Sequence, residues 1–146
     1  MAVEGCRVMT RMLALIEAAL LLVGPQASAA SPADQLALEM TAVIQMDADH
    51  RERGQTVRSL VKCLQDWSPG DGRPPNAVSI QGTGADTFTV HTNLRSPSYF
   101  HFRVLRDRGE RVAVLVEIEF LRVGKGYQHV VDIETKRAVM KAVCPS

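Results

Sequence analysis

From residue 77 to the C-terminus, apolar and polar positions alternate with a period of two. Phe88 and Val90 alternate with Thr87, Thr89 and His91. Phe100, Phe102 and Val104 alternate with Tyr99, His101 and Arg103. The longest apolar row is Val112, Val114, Val116, Ile118 and Phe120, set opposite Ala113, Leu115, Glu117, Glu119 and Leu121. Shorter runs at 128–133 and 138–143 complete the pattern. Successive strand side chains point to opposite faces, so this is the signature of an antiparallel sheet with one side buried.

Turn residues set the expected register. Asp107-Arg108-Gly109 reads as a three-residue hairpin loop, which places Arg106 opposite Glu110 and Phe102 opposite Val114. A two-residue Lys125-Gly126 loop places Phe120 opposite Val131 and Ile118 opposite Ile133. An even turn around Thr135-Lys136 then faces Ala138, Met140, Ala142 and Cys144 toward the core. Gln81-Gly82-Thr83-Gly84 reads as a turn between short strands, because a phosphate cradle needs a third glycine and a following helix.

Residues 31–67 follow a helical period instead. Ser31-Pro32-Ala33-Asp34 is a helix start, with a capping serine, proline at the first helical position and an acid placed to reach back. Leu36, Met40, Val43 and Ile44 follow, and Val57, Leu60, Val61, Leu64 and Trp67 resume the spacing after the polar stretch 47–54. One unbroken helix would be about 50 Å long. Two helices, or one kinked near Gly54, are therefore expected. Residues 68–76, SPGDGRPPN, form a loop by composition. The expected architecture is α+β: these helices pack on one face of a curved antiparallel meander of four to five strands.

The first 29 residues have the layout of a cleavable secretory signal. Arg7 and Arg11 precede an apolar run, Met12 to Val23, interrupted by Glu17; Gly24-Pro25 breaks it, and Ala27-Ser28-Ala29 suits signal peptidase. The run is shorter than the ~20 residues a membrane span needs. Residues 30–146 are then one domain, periplasmic or secreted. Cys6 leaves with the signal, and Cys63 and Cys144 remain as an even pair for an oxidising compartment. Cys144 on the inner face of a last strand can meet Cys63 near the end of the helical half.

Net charge changes the picture little. Formal charge is +1 and aromatic content 5%, with arginines scattered, so neither nucleic acid nor an anionic membrane is an expected partner. No stable membrane insertion is expected after cleavage of the signal.

Four sets of residues are candidates for chemistry. The polar sheet face collects His91, Tyr99, His101, Arg103, Glu117, Glu119, Asp132 and Lys141, with Glu119 opposite Asp132 and Glu117 near Tyr99. Adjacent carboxylates suit a cation site or acid–base work, and a solvated face balanced by Arg103 and Lys141 accounts for them equally well. The histidines His50, His91, His101 and His129 follow no HxH or HExxH spacing, and the expected register turns His129 toward the core, away from His101, so no metal is expected. There is no GxSxG and no free mature cysteine. The stretch DADHRER at 47–53 reads as a solvated face with pairs such as Asp47–Arg51 and Asp49–Arg53. No cofactor is implied. The expected function is a small exported, non-enzymatic binding protein that recognises another exported or envelope protein, as inhibitor, immunity factor or accessory subunit. The alternative is a small-ligand binder or enzyme with a pocket between helices and sheet, lined by His129 or Tyr127.

Overall fold

The computed structural model describes residues 31–44, 54–68, 76–94 and 96–145. The signal segment, the charged stretch 47–53 and most of the 68–76 loop lie outside the described residues. The fold is α+β, built on a six-stranded, mostly antiparallel sheet. Its strands are β1 (Thr41–Val43), β2 (Val78–Gly84), β3 (Thr87–Asn93), β4 (Pro97–Asp107), β5 (Glu110–Arg122) and β6 (Gly126–Val130). Its helices are α1 (Pro32–Leu38), α2 (Val57–Asp66) and α3 (Ile133–Val143). The strand order is β1-β5-β4-β3-β2, and β6 also pairs with β5.

The helix start at Ser31 forms as the sequence implies. Asp34 N donates to Ser31 Oγ at 3.2 Å, and Ser31 N donates to Asp34 Oδ2 at 3.0 Å. The helix then stops at Leu38 rather than running through Ile44. Thr41, Ala42 and Val43 instead add a parallel strand to β5, pairing with Val112, Ala113 and Val114. Two of those three residues are β-branched, and an available sheet edge outweighs weak helical spacing there. The chain returns antiparallel along β1: Ala42 N donates to Gln55 O at 2.7 Å, and Val57 N to Met40 O at 2.9 Å. Gly54 is required at this crossing, since a Cβ on it would lie 1.4 Å from Ala42 O. Thr56 caps α2 through Ser59 N, and Val57, Leu60 and Leu64 form its buried stripe. Asn76 closes the other end, its amide donating to Leu64 O at 3.1 Å and Trp67 O at 2.8 Å.

The period of two on β3 and β4 maps onto one buried face. Phe88, Val90, Phe100, Phe102 and Val104 meet Ala113, Leu115, Ile118 and Val130 beneath Met40, Leu60, Leu64 and Val143. Phe88 and Phe102 stack with ring centroids 5.0 Å apart. Burying a side chain such as Phe100, fully enclosed here, contributes about 1.5–3 kcal/mol.

The β4–β5 register differs from the expected one. The turn is the two residues Arg108 and Gly109, with φ of 50° and 86°, and Asp107 pairs with Glu110. Positive φ at both central positions is what a tight hairpin demands. On its own this turn would set Phe100 against Glu117. A bulge repairs the pattern: Phe102 pairs with Leu115 and His101 with Glu117, leaving Val116 as the extra residue. Phe100 then meets Ile118. Thus Ala113 and Leu115 are buried in the core cluster, while Val116 is exposed.

The C-terminal segment is a helix, not a strand. Asp132 is its N-cap, accepting from Thr135 N at 2.8 Å. Lys136, Val139, Met140 and Val143 recur at helical spacing, and all four are buried or partly so. Cys144 follows as the C-cap and bonds Cys63 of α2, with Cα atoms 5.2 Å apart. The bridge thus stands, but it joins two helices rather than a helix and a strand. Gln81-Gly82-Thr83-Gly84 is also strand rather than turn; a bulge at Thr83 ends β2, and the reversal occurs at Ala85-Asp86.

Candidate functional site

The sheet face opposite the core carries most of the polar chemistry. Pairing across the strands aligns Ser79, His91, Tyr99, Glu119 and His129 in one row. Beside it runs a second row of Gln81, Thr89, His101 and Glu117. Strand pairing on a closely packed core holds these side chains at fixed spacing, which limits the entropy lost when they meet a ligand.

The rings form a stack. His91 and Tyr99 lie 4.6 Å apart with planes 14° from parallel, and Tyr99 lies 6.3 Å from His101 at 12°. Tyr127 of β6 tilts against Tyr99 at 6.1 Å. Its side-chain hydrogen bond with Tyr99, with the Glu119 carboxylate nearby, pushes the Tyr127 hydroxyl above its usual range. Two histidine–carboxylate pairs flank the stack. His101 Nε2 lies 3.1 Å from Glu119 Oε2, and its Nδ1 lies 2.9 Å from Thr89 Oγ1. A carboxylate can only accept, so Nε2 carries a proton; in the neutral ring the Thr89 hydroxyl donates to Nδ1. His129 Nδ1 hydrogen-bonds Glu117.

Of the residues expected on this face, His91, Tyr99, His101, Glu117 and Glu119 come together. Arg103 shares the face one step further along β4, opposite Thr87 and Val114. Asp132 and Lys141 do not belong to it. Asp132 caps α3, and its hydrogen bonds from Thr135 hold its carboxyl below the usual range; Lys141 is exposed in the last turn of that helix.

Three further residues join this face: Thr89, which the sequence pattern did not single out, and Tyr127 and His129, which the expected register turned toward a pocket on the core side. The β5–β6 loop is three residues, Val123-Gly124-Lys125, closed by Arg122 opposite Gly126, with φ of 75° at Gly124 and 73° at Gly126. Relative to the expected pairing, partners shift by three positions, and an odd shift moves every β6 side chain to the other face. His129 therefore faces outward opposite Glu119 instead of inward. A signal for this was present, because the expected register forced Glu119 against Asp132, a like-charge pair that the three-residue loop avoids.

Thr89, His101 and Glu119 have the hydrogen-bond order of a nucleophile, base and orienting acid. Thr89 is only 7% exposed, however, so its hydroxyl is not open to a substrate. Among the described residues no group of three or more His, Cys, Asp or Glu is placed to hold a metal ion. A cavity of about 110 Å³ lies on the opposite side, between α1 and the β2–β3 hairpin. Leu36, Met40, Ile80, Phe88 and Val104 line it, and Asp34 and Arg111 are its charged residues. No helix among the described residues is long and apolar enough to cross a membrane.

No family model, curated protein or solved structure matches this chain.

Proposed function

We propose that this chain is a small exported, non-enzymatic binding protein that recognises another exported or envelope protein through the outward face of its sheet. The supporting observation is the stack of His91, Tyr99 and His101, flanked by Tyr127 and the carboxylates of Glu117 and Glu119. Tyrosine buries large area at low entropic cost and is enriched among residues that dominate binding energy. Here the rings stand on the sheet and remain partly accessible.

Export rests on the signal-like N-terminus and on the Cys63–Cys144 bridge, a bond that persists in oxidising compartments. An inhibitor, an immunity factor or an envelope accessory subunit would each use such a surface. The competing reading, a ligand pocket between helices and sheet, has less support. The cavity described between α1 and the β2–β3 hairpin, at about 110 Å³, is well below the ~300 Å³ at which small-molecule sites begin. Tyr127 and His129, which that reading places inside, lie on the outward face.

The test is affinity capture from an envelope extract with the oxidised protein, followed by direct titration of the captured protein. Tyr99→Ala should weaken the measured affinity about thirtyfold, the equivalent of ~2 kcal/mol at a central aromatic contact. Retention of full affinity by Tyr99→Ala would place recognition elsewhere.

A further inference from the structure

We propose that a second copy of this chain pairs antiparallel with the outer edge of β2, joining two sheets into one. Among the described residues β2 pairs only with β3, so its other edge presents unpaired backbone N–H and C=O groups. Such an edge is a template for strand addition unless it is blunted by charge or proline. β2 reads VSIQGTG: it has neither, in a chain whose residues are 23% charged. Its bulge falls at Thr83, which leaves Val78 to Gly82 as a regular stretch.

Charge selects the occupant. A two-fold contact sets β2 against itself, and any charged side chain near the axis would meet its own copy. The neutral edge meets this requirement, and a charged partner segment would find no complement on it. A two-fold axis normal to the sheet keeps both helical layers on one side. It therefore brings α1 of each copy toward the other. Leu36 on α1 is 51% exposed, beside the cavity that Ile80, Gly82 and Gly84 help to line. Pairing of the strands buries this apolar shoulder against its copy, so the hydrogen-bonding edge and the unburied leucine point to one interface.

Among the described residues the β6 edge is poorer. β6 has five residues, begins at a positive-φ glycine and runs almost directly into α3. Joining two copies at β2 also continues the Ser79–His91–Tyr99–Glu119–His129 row into its symmetry mate, giving one outward face of double width.

The test is sedimentation velocity on the purified, oxidised protein over a wide concentration range, with amide exchange of residues 78–82 measured at both ends of it. A reversible monomer–dimer equilibrium is expected, with exchange in β2 slowing as concentration rises. The double variant Ser79→Lys, Gln81→Lys places charges on exposed, outward positions. It should weaken self-association at least about tenfold, because like charges then face each other across the pair. Leu36→Asp should weaken it independently, and Val123→Lys, in the exposed β5–β6 turn, should leave it unchanged. A monomer at every concentration would overturn the proposal. So would a dimer that neither the β2 nor the Leu36 variant weakens.

Discussion

Lys136 Nζ, on α3, donates to the carbonyl oxygen of Val116 at 3.2 Å, and Val116 is the extra residue of the β5 bulge. The same ammonium donates to Leu115 O at 3.1 Å. These carbonyls fall where β5 changes edge partner, between β1 at Val112–Val114 and β6 at Ile118–Arg122. A buried lysine thus takes the place of the missing strand.

Replacing Lys136 with Met keeps the stem's volume and strips two carbonyls of their donor. Orphaned buried acceptors cost about 1–3 kcal/mol, and Lys136 is only 7% exposed. Urea denaturation of Lys136→Met should show a loss of that size. The pH dependence carries a sign. Burial pushes the Lys136 pKa below its ordinary value of 10.5, with the Asp132 charge opposing. Between the folded value and 10.5 the unfolded chain binds more protons, so stability rises with pH across that window. In Lys136→Met this alkaline rise should be absent.

Asp132 acts at the acid end. Its carboxyl is held below 3.8 by the hydrogen bonds from Thr135. A lowered folded pKa contributes stability that is fully present above about 3.8 and is lost as pH falls through the folded value. Asp132→Ala should lower the urea midpoint at neutral pH and flatten the acid limb. A parallel offset at all pH values would show that the carboxylate's charge plays no part in capping α3.

The Cys63–Cys144 bridge spans 81 residues. Closing a loop of that length contributes about 4–5 kcal/mol in the chain-entropy description. Reduction, or the Cys63→Ser, Cys144→Ser double substitution, should cost most of that amount. Mass analysis with thiol alkylation should label neither cysteine until reductant is added.

Thr92 gives a prediction of the opposite sign. Its hydroxyl is fully buried and has no hydrogen-bond partner among the described residues. Burying an unpaired hydroxyl is costly, and valine has nearly the same shape. Thr92→Val should be neutral or should stabilise by about 1 kcal/mol. A loss above that size would mean that the hydroxyl has a partner in solution.

Legibility in the sequence followed the strength of the local pattern. Phe88, Val90, Phe100, Phe102 and Val104 alternate without interruption, and all five reach one buried face. The β5 row looked even stronger, but a bulge at Val116 splits it, and nothing local marks which valine is the extra one. Only the conflict between a tight Arg108-Gly109 turn and the Phe100–Glu117 pairing pointed to it. α3 was hidden because a lysine occupies its buried stripe, and because Ala138, Met140, Ala142 and Cys144 also follow the period of two of a strand. The cysteine count gave the right bridge, although the strand that was to carry Cys144 is a helix. In the outward face, the odd length of one glycine-containing loop decided whether His129 and Tyr127 joined the site.

The central claim is that the outward face receives the partner. Ring-proton NMR of the histidines, followed while the captured partner is titrated in, tests it most directly. The ring signals of His91, His101 and His129 should shift together, while the Met40 methyl signal on the cavity side stays in place. Movement of the Met40 signal with all three histidine rings unchanged would contradict it.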